Sequence, residues 1–129
     1  MNSHPKLMVV DNEMDICNFL KSFFGLRGYE VATALNADEA MIKIAEQKPD
    51  LIILDVNMRR EGEGLEYLPQ IKQKFPGIKV IIVTGIADED TIEKARQLGA
   101  DDYITKPLVL EYLETTVFQK IKALALPAD

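Results

Sequence analysis

The stretch Pro49-Asp50-Leu51-Ile52-Ile53-Leu54-Asp55 limits what this chain can fold into more than any other. Its four consecutive apolar residues are too few for a helix and too uniformly apolar for a strand with one wet face. The run reads as a strand buried on both sides, the kind found in parallel sheets covered by helices. Such a strand presents its chemistry where it leaves the sheet, because ligands of open α/β sheets sit outside the carboxyl ends of the strands. Asp55 stands at that end.

The same pattern recurs on either side. Leu7-Met8-Val9-Val10 is an apolar run that stops at Asp11, and Val80-Ile81-Ile82-Val83 is followed by Thr84 and Gly85. Glu30 to Ala34 makes a short strand, and Asp102 to Thr105 a weak fifth one ending at Lys106-Pro107. Between them the period changes to that of a helix. Ile16, Phe19, Leu20, Phe23 and Phe24 form one stripe, closed by Gly28 as a left-handed residue. Gly25 inside that helix costs about 1 kcal/mol relative to Ala, which calls for a compensating packing contact. Asn36 with Glu39 forms a capping box for a helix whose face is Ala37, Ala40, Met41, Ile44 and Ala45. Leu65, Leu68, Ile71 and Phe75 mark the third helix, before the turn Pro76-Gly77. Asp88 to Asp90 gives the fourth an acidic start suited to the helix dipole, with Ile92, Ala95 and Leu98 on its face and Gly99 at its end. The last helix, about 108–124, aligns Leu110, Leu113, Val117, Ile121 and Leu124.

Five strands alternating with five helices imply a doubly wound α/β fold, a parallel sheet with right-handed crossovers and helices on both faces. At 129 residues the chain is expected to be a single domain over 1–129, its core at about 6–125, with no output domain. Hydrophobic residues at 47% and charged ones at 28% are those of an ordinary globule. A net charge of −6, with 15 Lys and Arg scattered along the chain, argues against direct nucleic-acid binding. The single cysteine, Cys17, has no partner for an internal disulfide and reads as a small buried hydrophobe. The apolar run before Asp11 is too short for a signal peptide or a membrane span, so a cytoplasmic location is expected. His4 is assigned no role.

Marking the residue at the carboxyl end of each strand gathers Asp11 with Asn12 and Glu13, then Asp55, Thr84 and Lys106. Carboxylates, a hydroxyl and an ammonium at one rim make sense together if a hard divalent metal meets the acids and a phosphoryl group meets Thr84 and Lys106. Phosphoryl transfer is the implied chemistry.

On these residues the chain resembles the receiver domain of two-component response regulators. The matching pieces are Val-Val-Asp-Asn-Glu at 9–13, Pro-Asp-Leu-Ile-Ile-Leu-Asp-Val-Asn-Met at 49–58, Val-Thr-Gly at 83–85 and Gly-Ala-Asp-Asp-Tyr-Ile-Thr-Lys-Pro at 99–107. The resemblance implies a flavodoxin-like (βα)5 sheet of strand order 2-1-3-4-5. It implies that Asp55 accepts a phosphoryl group from a sensor histidine kinase or a histidine phosphotransfer protein. Mg²⁺ would be held by Asp11, Asn12, Asp55 and the backbone carbonyl of Asn57. Thr84 and Lys106 would serve the transferred phosphate, and Thr84 and Tyr103 would carry the switch to the surface of the fourth helix, fifth strand and fifth helix. It also implies a cis Lys106–Pro107 bond. Such a protein is a signalling switch that catalyses only its own phosphoryl transfer and dephosphorylation in cis. Tyr112 and Phe118, off the main stripe of the fifth helix, suggest a homodimer through the same surface.

Three places depart from the family pattern. Asn12 stands where a second acid is usual and supplies no formal charge, so weaker Mg²⁺ binding is expected. The loop Met58-Arg59-Arg60-Glu61-Gly62-Glu63-Gly64 lacks the usual proline and is one residue longer, which is expected to loosen it and leave Arg59 and Arg60 solvated. Ile86 cannot orient water by hydrogen bonding, so slow dephosphorylation is expected. Leu108, in place of an aromatic, is read as packing. A phosphatase with an aspartyl-phosphate intermediate would need an acid where Asn57 stands, and Asp11, Glu13 and Asp15 would repel a flavin phosphate. The alternative that stays open is a pseudo-receiver, a protein-binding module that works without phosphorylation.

Overall fold

The central run is β3 (Leu51–Asp55), every residue of it buried, in a computed structural model that describes residues 5–85 and 88–124. The other strands are β1 (Lys6–Val10), β2 (Glu30–Ala34), β4 (Lys79–Thr84) and β5 (Asp102–Thr105). All pair in parallel in the order β2-β1-β3-β4-β5. The chain runs outward from β1 to β2 and then returns to the other side of β1. Asp11, after β1, and Asp55, at the end of β3, therefore meet at the point where the winding reverses, where ligands of such sheets bind.

Alternation along the strands divides the core in two. Met8, Val10, Ile52, Leu54, Val80 and Ile82 face one cluster, with Ala40 and Ile44 of α2 (Ala37–Gln47), Leu68 and Ile71 of α3 (Glu63–Lys74) and Ala95 of α4 (Glu89–Gln97). Leu7, Val9, Leu51, Ile53, Ile81 and Val83 face the other. There they meet Leu20, Phe23 and Phe24 of α1 (Met14–Gly25) and the last helix, α5, which packs Leu113, Val117 and Ile121. The α5 helix is composite: an α-helical turn at Leu110–Tyr112, a π-helical segment at Leu113–Val117 and an α-helical end at Phe118–Leu124.

Local signals in the sequence explain the helix ends. Asn36 Oδ1 accepts the Glu39 backbone N–H at 2.8 Å, and Glu39 Oε1 accepts that of Leu35 at 2.8 Å, a capping box reaching one residue further back than usual. Asp88 caps α4 by accepting from the Asp90 N–H. Gly28, at φ 92°, lets the Tyr29 N–H return to the Phe24 carbonyl and close α1.

Several expectations need correction. Gly25 is the last residue of α1, and a Cβ there would meet nothing within 4 Å, so no packing contact compensates for it. Phe19, Ala45 and Leu110 lie outside their helices' buried stripes because their helices turn them toward solvent, and α5 begins at Leu110 rather than 108. Tyr112 and Phe118 are turned toward the core. The Tyr112 hydroxyl accepts the Thr105 N–H at 3.0 Å, and Phe118 meets Tyr29 edge-on, so both rings are partly buried against the core. Ile86 and His4 lie outside the described residues.

Candidate functional site

Two segments remote in sequence converge on the Lys106 ammonium at the carboxyl rim. Its Nζ is 3.2 Å from Asp55 Oδ2, 3.5 Å from Asp11 Oδ2 and 3.6 Å from Glu13 Oε2. The sheet fixes this arrangement: the Lys106 backbone N–H donates to the Thr84 carbonyl at 3.0 Å, and Asp55 stands in register with Val83. The Lys106–Pro107 peptide bond is cis. Thr84 is buried at the end of β4, in register with Thr105 of β5.

Asp55 and Asp11 are buried carboxylates, 3% and 2% exposed. Burial first, and then repulsion from Asp11, push the Asp55 carboxyl up to about 6 against the downward pull of Lys106. Burial lowers the Lys106 ammonium, but Asp55 and Asp11 together outweigh it and raise its pKa. One ammonium thus faces more negative charge than it balances. Asp11 Oδ1 also accepts the Glu13 N–H at 2.9 Å, which holds the turn into α1. Cys17, buried as expected, lies with Sγ 3.4 Å from the Asp11 carbonyl; burial and then Asp11 push its thiol up to about 11.

The loop after β3, without proline, is held by side-chain hydrogen bonds. Asn57 donates its N–H to Asp55 Oδ1 at 3.2 Å and accepts that of Gly62 on its own Oδ1 at 2.7 Å. The Asn12 amide donates to the Met58 carbonyl at 3.2 Å, tying the two rim loops together through a bond that an acid could not make. Arg59 pairs with Glu63 and Arg60 with Glu66, while both arginine side chains stay more than half exposed, solvated as expected.

Two residues here went unweighed in the sequence. Gly64 packs its Cα against the Asp55 backbone so closely that a Cβ would lie 2.0 Å from the Asp55 carbonyl oxygen, while its N–H donates to the Val56 carbonyl at 2.8 Å. Glu63 is an almost fully buried acid. The run Gly62-Glu63-Gly64 was a signal of close approach, but nothing in it said which backbone was approached.

The donor set suits a hard cation. Asp11, Asp55 and the Asn57 carbonyl offer oxygen, and the excess negative charge between the two buried carboxylates is what a small divalent ion would neutralise. Among the described residues no three His, Cys, Asp or Glu side chains cluster to form an all-protein cage. That is compatible with Mg²⁺, which keeps several of its waters. Among the same residues no helix is long and apolar enough to cross a membrane.

The fold and rim together define a doubly wound α/β domain whose ligand edge sets a buried aspartate against a lysine. The chain belongs to the response regulator receiver domain family, whose model matches residues 7–118. It is 36% identical over 115 residues to the transcriptional regulatory protein ZraR of Klebsiella oxytoca, covering 89% of this chain and 26% of that protein. It is 38% identical over 104 residues to the alkaline phosphatase synthesis transcriptional regulatory protein PhoP of Bacillus subtilis, covering 81% and 43%. The chain thus spans less than half the length of these two relatives. A two-component response regulator from Clostridium difficile superposes with a TM-score of 0.83 at 31% identity, covering 94% of this chain and 95% of that one.

Proposed function

We propose that this chain is a phosphoacceptor. In this reading Asp55 takes a phosphoryl group from a phosphohistidine on a sensor histidine kinase or a histidine phosphotransfer protein, in the cytoplasm. Mg²⁺ would be held by Asp11, Asn12, Asp55 and the Asn57 carbonyl, and it would supply positive charge to the phosphoryl oxygens. The observation that carries the reading is the approach of the Lys106 ammonium to Asp55 and Asp11, at 3.2 and 3.5 Å, from three separate parts of the chain.

The chemistry follows from the residues present. An Asp55 carboxylate oxygen attacks phosphorus in line while the bond from phosphorus to the donor imidazole nitrogen breaks, and the imidazole leaves with the electron pair. Asp55 must be ionised to attack, and a carboxyl at about 6 is largely ionised at neutral pH. Lys106 is already charged and already at Asp55 Oδ2, so it offsets charge on the transferred group with little rearrangement. Thr84 then meets the new phosphate. Tyr103 responds on the surface of α4, β5 and α5, where its ring lines a cavity of about 210 Å³ with Ile82, Ile92 and Ala95 that gives it room to move. A module that bound partners without phosphorylation would have no use for a buried carboxylate that repels its neighbour, which is why the switch is favoured.

Incubation with acetyl phosphate and Mg²⁺ followed by intact mass tests this. A phosphate adduct is expected on the wild-type chain and none on Asp55→Asn. Absence of an adduct on the wild type supports the pseudo-receiver instead.

A further inference from the structure

Two neighbouring arginines in the loop between β3 and α3, both just over half exposed, pair with acids in very different settings. Arg60 Nη1 and Nη2 reach Glu66 at 2.5 and 2.7 Å, with both side chains more than half exposed. Arg59 offers its backbone N–H at 2.9 Å, Nε at 3.2 Å and Nη2 at 2.5 Å to Glu63, whose side chain is 1% exposed. Exposed pairs of the first kind contribute little, whereas a buried carboxylate that loses its partner must rearrange or take up a proton. The Glu63 carboxyl is held below its usual range first by the Arg59 side-chain hydrogen bonds, so it is the charged form that the loop is built around.

What Glu63 anchors is adjacent to the reacting group. Gly64, the next residue, bears on the Asp55 carbonyl and donates to Val56, and Gly62, the preceding one, donates to Asn57 Oδ1. Arg59 Nη2 also lies 3.9 Å from the exposed Asp38 of α2, which accepts from the Tyr67 hydroxyl of α3 at 2.9 Å. We propose that the Arg59–Glu63 pair positions the Val56–Asn57 segment over Asp55, and so sets how well the rim takes Mg²⁺ and phosphate. It does by ion pairing what a proline in this loop would do by covalent restraint. Both are positioning residues, and the proposal rests on the reading of Asp55 as phosphoacceptor.

The test compares Arg59→Ala, Glu63→Gln, Arg59→Lys and Arg60→Ala with the wild type. Three readouts are taken: Mg²⁺ affinity by calorimetry, the metal-free amide resonances of Asn57 and Gly62, and phosphate uptake from acetyl phosphate. Arg59→Ala and Glu63→Gln are expected to weaken Mg²⁺ binding on the order of 10- to 100-fold, as loss of groups that orient metal ligands does, and to shift both resonances. Arg59→Lys keeps the charge without the fork and recovers part of the affinity, which guards against simple misfolding of the alanine variant. Arg60→Ala leaves all three readouts at wild-type values. Wild-type behaviour in Arg59→Ala and Glu63→Gln overturns the proposal, as does an equal loss in Arg60→Ala. A wild-type chain that takes no phosphate while its variants still lose Mg²⁺ affinity and shift both resonances sinks the phosphoacceptor reading and leaves the anchor standing.

Discussion

Ile53 and Asp55 sit two residues apart on the same strand, on the same side of the sheet by alternation, and are equally dry at 1% and 3% exposure. Burial stabilises the first and penalises the second. Ile53 gains from every apolar neighbour in the cluster that α1 and α5 close over it. Asp55 loses hydration, faces Asp11 and is only partly compensated by Lys106. The sheet interior holds the fold together, and its rim holds a group that the fold would be more stable without. A site with an unmet need for positive charge is one that a cation and a phosphoryl group can reorganise.

Substitutions can break or sharpen this contrast. Ile53→Ala should cost roughly 2–5 kcal/mol in urea unfolding, through lost burial and a residual cavity. The folded fraction should still take phosphate; a cost below about 1 kcal/mol would mean the strand centre is not the stabilising part. Asp55→Asn should act in the opposite direction. A carboxyl at about 6 in the folded state, against 3.8 as its ordinary value, binds more protons folded than unfolded between those limits. Its ionisation therefore removes stability as pH rises, fully so above pH 6. Without divalent cations Asp55→Asn should stabilise the protein at pH 7 by on the order of 2–3 kcal/mol. That gain should fade as pH falls from about 6 toward 4, and a gain independent of pH in denaturant melts would contradict the cause given. Gly64→Ala should cost about 1–3 kcal/mol, because the added Cβ must displace Asp55 backbone. Its loss of phosphate uptake should be out of proportion to that cost. The smallest effect is that of Asn36→Ala, about 1 kcal/mol for a lost helix cap far from the rim, with phosphate uptake unchanged.

The fold was legible because strands such as β3 are apolar on both faces and the helices between them carry a different period, so order and type could be read residue by residue. The placement of Asp55, Thr84 and Lys106 at one rim was legible for a simpler reason: each ends or follows a strand, and parallel strands bring their ends together. What could not be read was the loop after β3. Arg59 and Arg60 look alike in sequence, and nothing local says that Glu63 is buried while Glu66 is exposed, since that depends on how α3 meets β3. Gly64 gave the same difficulty, because its contact is with backbone, which carries no sequence signal. The outward turn of Phe19 and Leu110 reflects helix faces wider in sequence than the surface they cover.

Borohydride reduction of the phosphorylated protein, followed by peptide mapping, tests the central claim most directly, because it converts an aspartyl phosphate into homoserine at the residue that carried it. Homoserine at position 55 is the predicted result. Homoserine at position 11, or a phosphate adduct that borohydride leaves intact, would show that Asp55 is not the acceptor.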